Sequence, residues 1–431
     1  MGRVGWRRLV VVRWDELFSK RIEHRPETGE KAALPTGGGV YLLTDEQDRL
    51  VQLASAADLR RAVWTRLTRP GGDEEVAVAG DGGGAEEGGQ GCPPPVREAA
   101  EEGGQGCPPP MGGRGVGRRR ADLSQIVRYI RWQPTHSVFE ATFEYHRIAR
   151  QVLPETYLEN LAFGPAWFVH VDPEAAIPRF IVGKIIPPPP GTTLGPFATQ
   201  QDANRFVQTI GDAFDLCRYV HILEQVPHGQ ACAYFEMGRC PAPCDGSIPM
   251  SQYRGMMATA LRFAAGERDA IRREWEDQMR EAASGLAFER AAAIKLRLER
   301  IKELDHAAFR FVRPIDRFSW LIVQRGGGRT RVKPFFVRRG WIDRGEMVKL
   351  KDLDRVAAEW IARMVDRPSS TPAPEVSEHV WLASHFLFRR ERMGLFLHPS
   401  ELTDAAGLAD RVRQAFVPER KPADAESSPP M

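Results

Sequence analysis

The chain has 431 residues, of which 42% are hydrophobic and 27% are charged, and its net charge is +3. These values are typical of soluble globular proteins, and no apolar run approaches the roughly 20 residues that a membrane-spanning helix needs. The apolar stretch at 9–12 is too short for a signal peptide, so we expect a cytoplasmic protein with no membrane partner. The length predicts two or three folded units joined by linkers. The small net charge leaves any nucleic-acid partner to be decided by local clusters.

The first unit is predicted at 1–165 as a small α/β domain. Its apolar patterns predict alternating strands and helices in chain order. The predicted elements are a strand at 39–43, a turn at 45–48, a strand at 50–53, a helix at 56–67, a strand or short helix at 124–132 and a helix at 136–151.

A low-complexity insert at 71–120 interrupts this unit. It is rich in Gly, Glu and Pro, and the stretch EEGGQGCPPP occurs twice in it. Such a segment buries too little apolar surface to offset its ordering entropy, so it is predicted to be disordered, as is the polar tail at 417–431. Cys92 and Cys107 belong to the duplication, and we interpret them as incidental rather than as ligands.

Three further units are predicted after the first. They are a cysteine-bearing segment at 166–250, a set of helices at 251–305, and a mixed α/β unit at 306–416 in which strands at 318–324 and 332–338 flank a Gly-rich turn. The predicted fold class is therefore α+β multidomain, with a small α/β domain, a cysteine-rich α/β segment, a helical hairpin and a C-terminal mixed α/β unit.

The first unit resembles a GIY-YIG nuclease domain through Gly39-Val40-Tyr41 and the segment at 58–63. In that family two tyrosines handle water, an arginine stabilises phosphate charge and a glutamate holds a divalent metal. The resemblance implies that Tyr41 is the first tyrosine and that Glu144 is the ligand for Mg²⁺. Gln52 and Ala57 stand where the second tyrosine and the arginine are expected.

Losing such groups costs on the order of 10² to 10⁵ in rate, so we expect the nuclease activity to be weak or lost. The structural alternative is that Tyr41 is a core residue on a buried strand and Glu144 a solvated carboxylate on a helix.

Four cysteines downstream offer thiolate ligands, namely Cys217, Cys232, Cys240 and Cys244. Four soft sulfur donors, with C-x7-C-x3-C spacing at the end, suit an iron–sulfur cluster or a structural zinc ion; the alternative is four small buried residues. The segments at 177–180, 194–198 and 232–244 resemble, in order and approximate spacing, the C subunit of the UvrABC excinuclease. This resemblance favours the iron–sulfur cluster.

A helical hairpin is predicted around the break at Ser284-Gly285. The segments at 275–279 and 286–292 resemble the UVR motif, through which the excinuclease C subunit contacts the B subunit. The resemblance implies partner-binding roles for Leu286, Phe288, Glu289 and Ala292. The alternative is ordinary packing within the chain, since amphipathic helices most often pack that way.

Six basic residues crowd the predicted hairpin of the last unit, next to Trp320, Phe335, Phe336 and Trp341. Basic and aromatic side chains together predict phosphate contacts and stacking on single strands, whereas a solvated hairpin face is the alternative. In the family this region begins an RNase H-like domain, which we expect to be absent or degenerate here. The predicted DNA-binding residues are Arg325, Arg329, Arg331, Lys333, Arg338 and Arg339.

Together these features predict an excinuclease C-like protein of nucleotide excision repair. Its expected partners are DNA and the excinuclease B subunit, with weak or lost incision. Two alternatives stay open at this point: an active, Mg²⁺-dependent GIY-YIG endonuclease, and a metal or redox protein that acts independently of DNA.

Overall fold

In the computed structural model, the described residues are 13–25, 34–67, 123–365 and 373–416. The predicted insert at 71–120 with its two cysteines, the stretch at 9–12 and the tail at 417–431 lie outside these ranges. Over the described ranges no helix combines the length and apolar character that crossing a bilayer requires.

The N-terminal unit is a four-stranded antiparallel sheet with helices on both faces, in the strand order β1-β4-β2-β3. β4 comes after the insert and pairs with β2, which comes before it, so both flanks of the insert belong to one sheet. The helix predicted at 56–67 begins three residues later than expected, at Leu59, because Ala56 still pairs with Gly39 in the β2–β3 ladder. The elements are α1 (Trp14–Leu17), β1 (Lys20–Glu23), β2 (Gly39–Thr44), β3 (Leu50–Ala56), α2 (Leu59–Leu67), β4 (Tyr129–Pro134) and α3 (Val138–Val152).

The middle unit is a second antiparallel sheet, in the order β6-β5-β7-β8, covered by helices. Phe206 of α4, Phe263 of α7 and Ile301 of α9 share one buried core with Val169 of β5, so the helices predicted as a separate unit pack on this sheet. The elements are β5 (Trp167–Val171), β6 (Phe180–Gly183), β7 (Thr192–Phe197), α4 (Gln200–Ala213), α5 (Val220–Leu223), α6 (Ala233–Glu236), α7 (Met250–Ala264), α8 (Arg268–Ser284), α9 (Phe288–Ile301) and β8 (Arg313–Pro314).

The C-terminal unit is a third antiparallel sheet, in the order β11-β10-β9-β13, with β12 also pairing to β10. The predicted hairpin is formed by β9 and β10. Arg339 and Gly340 both have positive φ in the tight turn that follows, and a Cβ on Gly340 would lie 2.8 Å from Val380, so a glycine is needed there. The elements are β9 (Trp320–Arg325), β10 (Arg331–Arg338), β11 (Trp341–Arg344), β12 (Val348–Lys349), α10 (Leu353–Val365), α11 (Ala373–Leu387), β13 (Leu395–Leu397) and α12 (Ala405–Phe416).

The units share cores instead of being separated by linkers. α10 and α12 cover one face of the C-terminal sheet, while α11 covers the other together with α3 of the N-terminal unit. Phe139 of α3 contacts Phe335 and Phe386 edge-to-face, with ring centroids 5.0 Å apart in each pair. The mixed α and β class is confirmed, but the expectation of linker-separated units is corrected. The reason is that α3 carries two apolar faces, and each face needs a partner.

Candidate functional site

Three of the four downstream cysteines lie together between α4 and α7. Cys217 follows the end of α4, and Cys240 and Cys244 lie in the loop before α7. The thiols of Cys217 and Cys240 hydrogen-bond each other, and charge on Cys240 also acts on Cys244. Cys240 and Cys244 are buried, whereas Cys217 and Cys232 are half-buried. Cys232 directly precedes the short helix α6, in the chain between Cys217 and Cys240.

The surroundings favour a thiolate at Cys240. The hydrogen bond from the Cys217 thiol outweighs the effect of burial and lowers the pKa of Cys240 to about 7. The same hydrogen bond, together with burial, raises the pKa of Cys217. Ala242 is left-handed, with φ 50°, between two prolines, which keeps the loop from continuing as a helix.

A thiolate is the form of cysteine that binds soft metals, so the donors suit an iron–sulfur cluster or zinc in their chemistry. Within 13–25, 34–67, 123–365 and 373–416, no group of three or more Cys, His, Asp or Glu side chains is arranged closely enough to hold a metal ion.

The predicted nuclease residues lie on opposite faces of the N-terminal sheet. Tyr41 is buried with Leu59 and Val63 of α2, and α3, which carries Glu144, packs on the other face against Val40 and neighbouring side chains. Successive side chains of a strand alternate between faces, which is why one strand contributes to both clusters. The structure therefore does not bring Tyr41 and Glu144 into one site.

Gln52 and Ala57 stand where the second tyrosine and the arginine are expected, and they lie on and just after the edge strand β3. Gln52 is directly opposite Leu43 in the β2–β3 ladder, on the Tyr41 face, and its side-chain oxygen is buried without a hydrogen-bond partner among the described residues. Ala57 is exposed in the turn between β3 and α2. This edge of the sheet consequently carries neither a second phenol nor a cation at those positions.

Glu144 is neither solvated nor open to a metal ion. Its carboxylate is 1% exposed and accepts a hydrogen bond from Arg147 at 2.9 Å and one from Arg344 of β11 at 2.6 Å. One turn earlier, buried Glu140 pairs with Lys333 of β10 at 2.6 Å. Both carboxylates of α3 are thus used to join the helix to the C-terminal sheet.

The α8–α9 hairpin has a buried base and an exposed tip. At the base, Trp275 and Ile301 are buried in the middle core, and Arg297 pairs with Asp215 beyond the end of α4. At the tip, the predicted partner-binding residues are exposed, with Leu286 at 73% and Phe288 at 65%. Two large apolar side chains side by side in solvent are a feature of interaction surfaces.

The backbone of the tip gives a second indication. Leu286 has φ 59°, a left-handed conformation that a leucine adopts at a cost of roughly 1–2 kcal/mol and that glycine or asparagine usually fills. This conformation falls at the break between α8 and α9. Strain of this kind is found most often where a residue has a binding role.

The predicted DNA-binding residues do not form one surface. Arg325, Arg329 and Arg331 are exposed at one end of the β9–β10 hairpin, and Arg339 is exposed at the other end of β10. Lys333 pairs with Glu140, and buried Arg338 pairs with Asp343, as members of ion pairs within the fold.

Three of the four aromatic residues predicted to stack on bases belong to the core, and the fourth, Trp341, is half-buried with its ring against that of His379. The largest exposed fraction among Trp320, Phe335 and Phe336 is 5%. The alternation of the strands turns these rings towards the helices, so this hairpin has no stacking platform built from them.

A buried polar network that is not evident from the sequence joins α3 to α11. Glu378 accepts one hydrogen bond from the Tyr157 hydroxyl at 2.7 Å, and its other carboxylate oxygen pairs with His146 at 2.7 Å. His146 and Glu378 are 232 positions apart in the chain. Burial raises the pKa of the Glu378 carboxyl, but these hydrogen bonds and Arg150 outweigh it and leave the pKa lowered. Burial, followed by the hydrogen bond to Glu378, raises the pKa of Tyr157 to about 12.

Residues 166–263 match a protein-family model described as the UvrC/Cho excinuclease, middle domain. The matched range begins just before β5, ends within α7 and includes all four downstream cysteines. The chain therefore carries a middle domain of the UvrC/Cho excinuclease class.

Curated relatives point to one member of this class, UvrABC system protein C. The chain is 28% identical over 148 residues to that protein from Cereibacter sphaeroides, which is 34% of this chain and 24% of the relative. It is 28% identical over 173 residues to the Novosphingobium aromaticivorans protein, covering 40% and 26%. It is 22% identical over 205 residues to the protein of Caldanaerobacter subterraneus subsp. tengcongensis, covering 47% and 33%.

The resemblance predicted from the sequence is thereby confirmed: part of the chain is similar to UvrABC system protein C. The matched parts span only about a quarter to a third of the length of these relatives. No solved structure is significantly similar to the chain.

Proposed function

We propose that this chain is an excinuclease C-like protein of nucleotide excision repair that binds DNA, the excinuclease B subunit or both, with weak or lost incision. The observation that carries the proposal is the UvrC/Cho middle domain with its grouped thiols. The exposed tip of the α8–α9 hairpin supports a protein partner.

The state of the nuclease residues supports weak or lost incision. A metal ion at Glu144 would have to displace Arg147 and Arg344 from a carboxylate that is almost fully buried. Tyr41 faces a different side of the sheet, so it is not placed to act on a phosphate held at Glu144. Either feature alone is unfavourable for hydrolysis.

A nicking assay tests this part of the proposal. Supercoiled or damaged plasmid is incubated with Mg²⁺ or Mn²⁺ and purified protein, alone and with the B subunit. We expect no nicking above that of a Glu144→Gln variant, whose fold is checked by its thermal melting. Robust nicking by the wild type that this variant abolishes would instead establish an active endonuclease.

We propose further that Cys217, Cys232, Cys240 and Cys244 hold an iron–sulfur cluster, with zinc as the alternative. Thiolates are the ligands that both groups share, and the grouping of three thiols supports the assignment. A bound cluster would supply one-electron redox chemistry, and its four ligands would tie the end of α4 to the loop before α7.

Anaerobic purification followed by absorption spectroscopy and metal analysis separates the two. A brown protein with absorbance at about 400 nm and bound iron supports the cluster, whereas a colourless protein with one equivalent of zinc supports the alternative. Cys240→Ser is expected to lose the metal in either case, and Ser247→Ala, in the same loop, is the control. Protein free of both metals would refute a metal site.

A further inference from the structure

A groove of about 640 Å³ lies between the middle and C-terminal units, away from the cysteines and from Glu144. Small alanines line its side from the middle unit, and exposed arginines line much of the rest. The arginines are Arg310, which follows α9, and Arg389, Arg390 and Arg392, which lie between α11 and β13.

The positive charge of the groove is not neutralised within the described part of the chain. None of its four arginines forms an ion pair there, although most ion pairs among the described residues use an arginine. Glu391 is the acidic residue nearest to these arginines in the sequence. The carboxylate whose charge acts on Arg392 is that of Glu401, which pairs with Arg411. Burial and then the neighbouring charge of Arg310 lower the pKa of Arg392, as expected where like charges are crowded.

Three of the four arginines are held in place by aromatic rings rather than by acids, and Arg389 also donates a hydrogen bond to His385 at 2.9 Å. The guanidinium groups of Arg310 and Arg392 lie 4.5 and 5.4 Å from the centroid of the same buried ring, Phe311. Arg389 lies 5.0 Å from the ring of Phe386. Cation–π contacts position these groups without neutralising them, so less ordering entropy is lost when an anion binds.

We propose that this groove binds the sugar–phosphate backbone of a nucleic acid strand. Guanidinium groups match phosphate oxygens in pairs, and four of them along one groove exceed what a single small anion needs. Half-buried Phe388 at the groove offers a ring on which an unpaired base can stack. The inference rests on the proposed DNA-binding function and assigns it to a surface other than the β9–β10 hairpin.

Fluorescence anisotropy with labelled oligonucleotides tests the groove. Single-stranded DNA, duplex DNA and RNA of one sequence are titrated with the full chain over a range of salt concentrations. We expect Arg310→Gln/Arg389→Gln/Arg390→Gln/Arg392→Gln to weaken binding by about tenfold or more. We also expect it to reduce the slope of log K against log salt by about 2 to 3, which corresponds to three or four lost phosphate contacts. The corresponding Arg→Lys variant should keep most of the slope.

Two further variants separate the effect of the groove from that of net charge and from that of a disturbed fold. A variant with Gln at Arg273, Arg290, Lys295 and Lys302 loses the same amount of charge, from exposed positions on and beside the α8–α9 hairpin. We expect its slope of log K against log salt to stay close to that of the wild type. Arg390→Gln alone changes a side chain that makes no ion pair or ring contact with the described residues, and it should lower the slope by about 0.7 to 0.9. Thermal melting of every variant checks the fold.

Three outcomes would overturn the inference. If the groove variant binds like the wild type while Gln at Arg325, Arg329 and Arg331 weakens binding, the groove is excluded and DNA binding stands. If polyglutamate competes as well as the oligonucleotides, the groove takes acidic peptides instead. If the wild type binds no nucleic acid at low salt, the groove and the DNA part of the proposed function both fail, whereas binding to the B subunit is judged separately.

Discussion

Lys333 and Glu140 form an enclosed ion pair between the N-terminal and C-terminal units. Their side chains are 14% and 3% exposed, and the carboxylate also accepts a hydrogen bond from the backbone of His136 at 2.7 Å. An ion removed from water depends on its partner, because the lost hydration is not otherwise replaced. Removing either partner would leave the other charge buried and unpaired, so the contact between the units depends on both residues being present.

Lys333→Met is expected to lower the free energy of unfolding by about 3 kcal/mol, because it leaves a buried carboxylate unpaired. Urea denaturation measures this change. Lys333→Met/Glu140→Gln should recover much of the loss. Arg411→Met breaks a pair whose two members are each 41% exposed and should cost less than about 1 kcal/mol. Equal costs for Lys333→Met and Arg411→Met would contradict the role of burial.

His379 is buried as a neutral imidazole between α11 and β11. Its Nδ1 accepts a hydrogen bond from the backbone of Ile342 at 3.1 Å, and its ring lies 4.2 Å from that of Trp341. Burial, followed by the charges of His146 and Arg150, lowers the pKa of His379 well below its ordinary value; Glu378 is the acidic group in this network. The unfolded chain therefore binds this proton more readily than the folded chain does.

Because the folded pKa of His379 is the lower one, its contribution to stability is present above the unfolded pKa of about 6.5 and is lost as the pH falls below it. Unfolding free energies measured between about pH 7 and pH 5 should fall by up to about 1.4 kcal/mol per unit from this group. His379→Asn keeps an acceptor for Ile342 and should flatten this part of the profile. An unchanged profile would show that another group is responsible. The lowered pKa of Glu378 acts in a separate window, below its ordinary value of 4.5.

At the scale of elements, the α8–α9 hairpin combines a stabilised base with a strained tip. Arg300 donates a hydrogen bond to the backbone of Asp212 at 3.1 Å, and Arg268 donates one to Leu304 at 3.0 Å, which fixes the base on the middle unit. The tip lacks comparable packing, so changes there act on binding more than on folding.

Leu286→Gly separates the two effects. Glycine adopts positive φ freely, and the strain it relieves slightly exceeds its entropic cost, so we expect the free energy of unfolding to rise by about 0.5 kcal/mol. Leu286→Ala keeps the strain and should not gain stability. Both variants should weaken binding to the B subunit by about tenfold or more in calorimetry, if the tip is a binding hot spot.

Ile126→Ala is the control for this experiment, because Ile126 is also an exposed apolar residue, 53% exposed and outside the hairpin. It should leave binding unchanged. Wild-type affinity in Leu286→Ala and Leu286→Gly would remove the tip from the proposed interface.

At the scale of the whole molecule, α3 connects two units. Ile148 packs on the N-terminal sheet, whereas Phe139 and Phe143 pack among the aromatic residues of the C-terminal core. A shared core of this kind couples the unfolding of both units, because neither can open without exposing apolar surface of the other.

Phe139→Ala tests this coupling. Removing a ring that is 1% exposed should cost about 3 to 5 kcal/mol and should separate a single urea transition into two. Tryptophan fluorescence and circular dichroism, which respond differently to the units, report the separation. Val138→Ala, next in the chain and 49% exposed, should cost less than about 0.5 kcal/mol. Two transitions already present in the wild type would argue against a shared core.

The sequence by itself determined the local features of this protein. Apolar patterns placed β2, β3, β9, β10 and α3, and the order of motifs indicated the resemblance to the excinuclease C subunit and the break between α8 and α9. These features depend on neighbours a few residues apart, which is the range over which such patterns carry information.

Only the tertiary structure decided what those side chains contact. It placed Tyr41 and Glu144 on opposite faces of a sheet, paired Glu144 with an arginine 200 positions away, and brought Arg310 beside Arg392. Ion pairs and grooves of this kind form between residues far apart in the chain, so their partners depend on how whole elements pack. No local pattern specifies that packing. Burial is a property of the assembled fold, and it sets how strongly charged groups interact.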